Sequence, residues 1–306
     1  MSLARRLLLR ASRSRWLARE LPQRAFFRRA TRRFLPGEDD GAALDAAAAF
    51  GREGIGALLT ELGEQVTTPA ESVAVRDHYL CVLERARERA LPAHISVKLT
   101  HLGLDVDREA CAAHLGALAE RASAIGSFVW IDMEESRYVD PTLELFGRTR
   151  ALWPCVGVCL QAYLRRTPSD LELLLPLAPA IRLVKGAYSE PPDVAVPSRR
   201  EVSHRYLRLA DRLLEHVDAG ALPVFGTHDM ALARRIQRHA AARGVGRRSY
   251  EFHMLYGIRA DDQRRLATEG YVVRVLISYG SAWFAWYMRR LAERPANLWL
   301  VLRNLV

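Results

Sequence analysis

The feature that most constrains this chain is a rhythm of short apolar runs alternating with helix-length amphipathic stretches. The runs fall at residues 94–100, 128–133, 156–163, 181–188, 223–228, 250–256 and 272–278, and a weaker one at 55–60 makes eight. Helical patterns fill the gaps at 76–90, 108–124, 142–152, 170–175, 199–216, 230–242 and 260–269, with another at 283–293. Strands that alternate with helices pair in parallel, because each crossover helix carries the chain back to the same edge of the sheet. Eight such units over about 240 residues fit a closed (β/α)8 barrel of TIM type better than an open doubly wound sheet. The expected fold class is α/β, with the barrel domain at 41–306 and a basic, helical N-terminal arm at 1–40. An Ala-rich helix at 42–50 leads into the barrel.

Half of the 306 residues are hydrophobic, enough for a sizeable core, and the formal net charge is +10. That charge is not spread over the chain. Residues 1–36 hold eleven arginines against one acid, Glu20, whereas the other 270 residues hold 34 basic and 34 acidic side chains. The body is neutral, so the bulk charge is no argument for nucleic-acid binding. The arm mixes its arginines with Leu7, Leu8, Trp16, Leu17, Phe26, Phe27 and Phe34, up to Pro36-Gly37. It reads as a basic amphipathic membrane-surface helix, as a segment similar to a mitochondrial transit peptide, or as an extension packed on its own domain. No apolar run approaches the ~18 residues of a membrane span. Four cysteines without a CxxC pair or zinc spacing read as reduced core thiols of a cytoplasmic protein, and no metal site is expected.

Of 45 basic residues only two are lysines, Lys98 and Lys185. In a barrel the chemistry sits at the C-terminal ends of the strands. Here the second run ends in Lys98, the third in Asp132, the fourth in Gln161, the fifth around Arg182, Lys185 and Tyr188, and the sixth in Thr227-His228-Asp229. Both lysines are in this set. Alternation puts Ser96 and Lys98 on one face. It puts Arg182, Val184, Gly186 and Tyr188 on another, with Lys185 opposite unless the strand has already ended. Gly186 would let a ligand approach the backbone closely, and Lys185 could meet a phosphate. Arg289 and Arg290, on the helix after the last strand, either join Lys98 to clasp a small carboxylate or form a solvated face. His228 has no partner at ligand spacing, so a hydrogen bond to a cofactor is the better reading, and the other eight histidines read as incidental. Neither GxGxxG after a strand nor GxxxxGK[ST] is present, and the glycines of 51–56 stand in the wrong order.

Several segments stand out: Ile95-Ser96-Val97-Lys98-Leu99-Thr100, Ile131-Asp132-Met133-Glu134, Leu160-Gln161-Ala162-Tyr163 and Arg182-Leu183-Val184-Lys185-Gly186-Ala187-Tyr188. Thr227-His228-Asp229, Tyr250-Glu251-Phe252, Leu255-Tyr256-Gly257 and Arg289-Arg290-Leu291-Ala292-Glu293 continue the series in order. Together they resemble proline dehydrogenase. The likeness runs from about residue 40 to the C-terminus and is to the short, monofunctional bacterial type. It implies a distorted (β/α)8 barrel that holds FAD at its C-terminal face, oxidises L-proline to Δ1-pyrroline-5-carboxylate by hydride transfer to flavin N5, and passes the electrons to a membrane quinone. By position, Lys98, Arg289 and Arg290 would hold the proline carboxylate with Asp132 balancing their charge. Arg182 would sit near the N5 edge, with Asp132 and Arg182 as the catalytic pair. Tyr188, Leu255, Leu276 and Trp286 would complete the substrate site. Met133, Gln161, Val184, Lys185, Gly186, Thr227 and His228 would contact FAD together with Arg182.

Leu276 and Trp286 each stand where that family usually has a tyrosine over the substrate ring. The expectation is weaker selectivity for proline over a 4-hydroxylated ring, and a dehydrogenase of hydroxyproline or another cyclic imino acid is the neighbouring reading. A Schiff-base barrel aldolase using Lys98 or Lys185 is the alternative from a different class. The arm would bring a cytoplasmic barrel to the inner face of an anionic membrane, where the quinone resides.

Overall fold

A computed structural model of the chain describes residues 34–63 and 65–283. Most of the basic arm lies outside the described residues, as do Trp286, Arg289 and Arg290 on the helix expected at 283–293.

Eight strands form one closed, all-parallel barrel in sequence order. They are β1 (Gly56–Glu61), β2 (Ala93–Val97), β3 (Val129–Ile131), β4 (Val156–Gln161), β5 (Ala180–Val184), β6 (Leu222–Gly226), β7 (Glu251–Leu255) and β8 (Val272–Tyr279). Helix α1 (Asp40–Arg52) precedes β1. The crossovers are α2 (Pro69–Glu88), α3 (Arg108–Ala124), α4 (Val139–Leu152), α5 (Thr167–Leu174), α6 (Arg199–Leu214), α7 (Met230–Ala242) and α8 (Ala260–Thr268). β8 closes on β1 over six paired positions, from Gly56 opposite Arg274 to Glu61 opposite Tyr279. A closed sheet has no unpaired edge, and every strand is covered on both faces. That is why the runs read as nearly continuous apolar stretches.

The helices begin where the sequence supplies an acceptor for their first amides. Thr68 and Glu71 form a reciprocal capping box with Pro69 at the first turn of α2, while Asp107, Ser198 and Asp229 cap α3, α6 and α7. The main core lies between strands and helices. A smaller one fills the barrel interior: Leu58, Trp130, Ala180 and Val224, flanked by Phe128, Leu222 and Leu276.

Most strands end earlier than their apolar runs, and at two of them the early end decides where a lysine sits. β2 stops at Val97, where the Lys98 carbonyl accepts the amides of His101 and Leu102 and the chain turns. β5 stops at Val184, and the chain swings away at Gly186, whose φ is +108°. Both lysines therefore sit just beyond their strands. The shared face expected for Arg182, Val184, Gly186 and Tyr188 holds only as far as Val184. The cysteines are unpaired as expected, but Cys81 is exposed on α2 and is no core thiol.

Candidate active site

The C-terminal mouth of the barrel is built from the last residues of each strand and the first of each loop. At its centre Arg182 extends from β5 across the interior, its Nη2 donating to the Asp132 carboxylate and, at 3.0 Å, to Ser96 Oγ. Ser96 Oγ donates to the same Asp132 oxygen at 3.0 Å. Inward-facing positions of β2 and β5 thus converge on the first residue past β3. Arg182 is 6% exposed along its side chain and Asp132 22%, so the carboxylate faces the mouth and the guanidinium lies beneath it. The two residues expected to act as a catalytic pair are in contact. Asp132 was expected to balance Lys98, Arg289 and Arg290; among the described residues its observed cationic partner is Arg182, which reaches it because both project inward from β3 and β5.

Lys98 is half-buried at the end of β2, its Nζ donating to the Gly63 carbonyl at 3.4 Å. Nearby, the Tyr79 hydroxyl donates to the Ser96 carbonyl at 3.2 Å and accepts the Glu61 amide at 2.9 Å, which ties β1 to β2 at the level of Ser96. Buried Glu134, next to Met133, accepts the Thr100 amide at 3.1 Å and the Thr100 hydroxyl at 2.6 Å, fixing the turn after Lys98.

The expected cofactor residues line the opposite part of the mouth. Gln161 closes β4, its Nε2 donating to the Met133 and Glu134 carbonyls at 3.3 Å each, while its Oε1 is buried with no hydrogen-bond partner. Lys185 Nζ is 2.9 Å from Asp229 Oδ2, so the lysine expected to meet a phosphate is ion-paired across the β5 and β6 loops. Burial would raise the Asp229 carboxyl, but its bonds to Lys185 and to the first amides of α7 outweigh that and hold it below the usual range. Thr227 is buried, its Oγ1 accepting the Asp229 amide at 3.1 Å. His228 Nε2 accepts the Leu255 amide at 2.8 Å, which makes Nδ1 the protonated nitrogen of the neutral ring. Val184 and Leu255 are half-buried at the last positions of β5 and β7, Tyr188 is half-buried in the loop after β5, and Leu276 is half-buried within β8 against the inner core.

Gly186 calls for a correction. The space it leaves is taken up by the Tyr163 ring: a Cβ there would lie 2.1 Å from Tyr163 Cδ1. A glycine signals that something comes close without saying what.

This donor set fits the flavin that the sequence resemblance implies. A buried amide oxygen without a partner (Gln161), an interior guanidinium (Arg182), a mouth ammonium (Lys185) and polar Thr227 and His228 face a wide polar ring system better than a small apolar ligand.

Sequence reasoning missed a second polar cluster deeper in the barrel. Arg274 Nε donates to Glu251 Oε2 at 2.9 Å, and His253 Nε2 lies 2.9 Å from the same oxygen. Burial of Glu251 favours its neutral form, but its hydrogen bond to His253 and the charges of His253 and Arg274 prevail and hold the carboxyl at about 2. Burial pushes His253 down to about 4, despite the carboxylate beside it. His94 is likewise held well below the usual range by burial and by Arg274. The available signal was alternation: Glu251 and His253, and Arg274 two positions before Leu276, are polar residues at every second place in otherwise apolar runs.

Comparison with known proteins agrees with this geometry. The sequence profile described as proline dehydrogenase matches residues 43–301. A proline dehydrogenase of Deinococcus radiodurans is 37% identical over 279 residues, covering 90% of this chain and 89% of its own length. Proline dehydrogenase 1 of Bacillus subtilis is 34% identical over 275 residues, covering 90% of each. Among solved structures, proline utilization A of Bdellovibrio bacteriovorus, inactivated by N-propargylglycine, superposes with a TM-score of 0.81 at 23% identity. It covers 87% of this chain, which spans only 33% of that longer protein, and at this identity the likeness speaks for the fold alone. A family match over most of the chain, together with relatives above 30% identity along nearly their whole length, shows that this chain belongs to the proline dehydrogenase family.

Proposed function

We propose that the protein oxidises L-proline to Δ1-pyrroline-5-carboxylate at the barrel mouth, using FAD, and delivers the electrons to a membrane quinone. The observation that carries this reading is the convergence of Asp132, Arg182 and Ser96 on one point of the mouth, with Lys98 at the end of the neighbouring strand. When bound, FAD supplies the acceptor that takes hydride from the carbon beside the ring nitrogen. Lys98, joined by Arg289 and Arg290, holds the substrate carboxylate and so fixes which ring carbon faces the acceptor. Asp132 neutralises part of the cationic surroundings and keeps Arg182 oriented. Arg182, drawn out of water, favours the site with more negative charge over the one with less. Met133, Gln161, Val184, Lys185, Thr227 and His228 hold the cofactor, with Gly186 confined to a backbone contact because Tyr163 fills its side-chain space, while Tyr188, Leu255, Leu276 and Trp286 enclose the substrate ring. No nucleophile is required. The Schiff-base reading is weakened at Lys185, since an ammonium committed to Asp229 at 2.9 Å is a poor carbonyl nucleophile.

The decisive experiment is the visible spectrum of the purified protein, with and without proline, in the absence of oxygen. Flavin absorption that bleaches on adding proline is the expected result; a colourless protein, or flavin bands indifferent to proline, would overturn the reading. Half-buried Leu276 favours a second substrate, since an aliphatic side chain in place of a tyrosine leaves room for a hydroxylated ring. A panel of proline, hydroxyproline and larger cyclic imino acids separates the two. The arm's proposed membrane contact is tested with anionic vesicles: the full chain binds and a chain lacking residues 1–36 does not. Equal binding would remove the arm from the mechanism.

A further inference from the structure

A continuous series of contacts crosses the barrel interior and ends on Arg182. From Arg274 it passes to Glu251 and on to His253, whose ring meets Trp130 edge-on, with centroids 5.1 Å apart and planes at 81°. The Arg182 guanidinium carbon then lies 5.3 Å from the centre of the Trp130 ring. The indole is fully buried and is held from further sides as well. Its Nε1–H donates to His94 Nδ1 at 3.4 Å. Directly opposite on β4 stands Gly157, where a Cβ would fall 2.6 Å from Trp130 Cζ3 and 2.8 Å from Cε3. Only glycine leaves room for the indole in this orientation.

The ion pair with Asp132 does not by itself fix Arg182. Asp132 and Ser96 both bond to the same nitrogen, Nη2, so this contact is not the two-pronged fork that would define the guanidinium plane. An aromatic face against the guanidinium supplies a further restraint, and inside a dry barrel that attraction is at the strong end of its range. The hydrogen-bond pattern also settles the protons around the indole. The Glu251 carboxylate only accepts, so neutral His253 carries its hydrogen on Nε2; His94 accepts from the indole at Nδ1, so its own hydrogen is on Nε2. Neither imidazole brings a second positive charge beside Arg182.

We propose that Trp130 is a positioning residue: its indole face seats the Arg182 guanidinium at the barrel mouth, and His94, His253 and Gly157 hold the indole in place. The proposal rests on the reading that the mouth binds flavin and that Arg182 faces it. The charge on Arg182 then favours the reduced, electron-rich flavin only while the guanidinium stays in its seat, so Trp130 sets the cofactor's potential without touching it.

The test is the flavin midpoint potential of the purified holoenzyme, measured beside kcat and KM for proline. Four variants are compared: Trp130→Leu, which keeps apolar bulk but removes the face; Trp130→Phe, which keeps a face but loses the N–H; Gly157→Ala, which displaces the indole; and Arg182→Gln as reference. Trp130→Leu should lower the potential by about 30 mV, a tenfold change in relative affinity for reduced over oxidised flavin. Its kcat should fall roughly tenfold while KM changes less than about twofold, as for an interaction realised mainly in the transition state. Gly157→Ala should shift both in the same direction, and Trp130→Phe should recover most of the loss. A flavin-loaded Trp130→Leu protein with the wild-type potential overturns the proposal, as does a Trp130→Phe shift equal to that of Trp130→Leu. Should Trp130→Leu fail to fold, Gly157→Ala and Trp130→Phe decide the matter by the same readouts. If Arg182→Gln itself leaves the potential unchanged, the flavin reading of the mouth fails first, and the seat falls with it.

Discussion

Replacing Gly186 by alanine tests whether the β5–α6 loop is held by the backbone and Tyr163 together. The residue sits at φ +108°, outside the regions an L side chain adopts easily, which costs about 1–3 kcal/mol. The added Cβ would stand 2.1, 2.4 and 2.6 Å from three atoms of the Tyr163 ring. That ring cannot retreat freely. Tyr163 is buried in the main core, its amide donates to the Lys185 carbonyl at 3.0 Å, and its carbonyl accepts the Val196 amide at 2.8 Å. Overpacking of this kind adds about 1–3 kcal/mol. The two contributions together are about 4 kcal/mol at mid-range, and at about 1.5–2 °C per kcal/mol for a chain of 306 residues they lower Tm by roughly 6–8 °C. Calorimetry of the single variant and of Gly186→Ala in a Tyr163→Leu background separates the parts. Without the ring, only the backbone strain should remain, so the cycle should show a coupling of about 1–3 kcal/mol. A single variant within about 0.5 kcal/mol of wild type would refute the reasoning, that being the range of a surface change. An equal loss in both backgrounds would refute the part assigned to Tyr163.

Three further outcomes are expected. His253 and Glu251 both release protons more readily in the folded protein than in the unfolded chain, so the unfolded state binds more protons and stability falls as pH drops. For His253 the loss begins below the unfolded value of 6.5 and runs to about 4; for Glu251 it runs from 4.5 to about 2. Urea midpoints at pH 7, 5.5 and 4.5 should decline, and His253→Gln should flatten the upper part; a wild-type profile flat over that range would contradict the assignment. Glu251→Gln leaves the Arg274 guanidinium without its carboxylate inside the barrel and should cost about 3–5 kcal/mol in denaturant unfolding, much of it recovered by adding Arg274→Met. Leu276→Tyr should raise the ratio of kcat/KM for proline over hydroxyproline, and equal ratios in the two proteins would dispose of the idea that Leu276 relaxes ring selectivity.

The barrel could be read from the sequence because burial on both faces leaves a mark that needs no partner. The 156–163 run is apolar along its length because β4 packs outward on the helices and inward on the barrel. The ends of α3 and α7 were legible for a local reason, since Asp107 and Asp229 satisfy their own helices' first amides. The mouth residues were legible as a set because polar groups at successive strand ends stand out against such runs. What stayed hidden depends on contacts across the closed sheet. Trp130, Arg182, His253, His94 and Arg274 belong to five strands, and their meeting follows from inter-strand register, which no local pattern records. The glycines show the same division. Gly157 and Gly186 each announce a crowded neighbour, and only the folded chain reveals indole in one case and phenol in the other.

Among the described residues the interior thus holds two carboxylate–guanidinium pairs of similar chemistry, Glu251–Arg274 and Asp132–Arg182, in different surroundings. In the deeper pair Glu251 accepts from both Arg274 and His253 and is 10% exposed, so no ligand can compete for it without unmaking the core. The pair is a fixed charge balance that lets polar groups support Trp130 from below. In the outer pair Asp132 is 22% exposed at the mouth while Arg182 beneath it is 6% exposed. A ligand arriving there meets the carboxylate first and feels a guanidinium that water does not screen. Opposite charges at different depths give the mouth a direction, with the partly solvated member able to rearrange and the buried one held by the indole. This asymmetry supports the proposal that Asp132 and Arg182 carry the chemistry, with the deeper pair as their support.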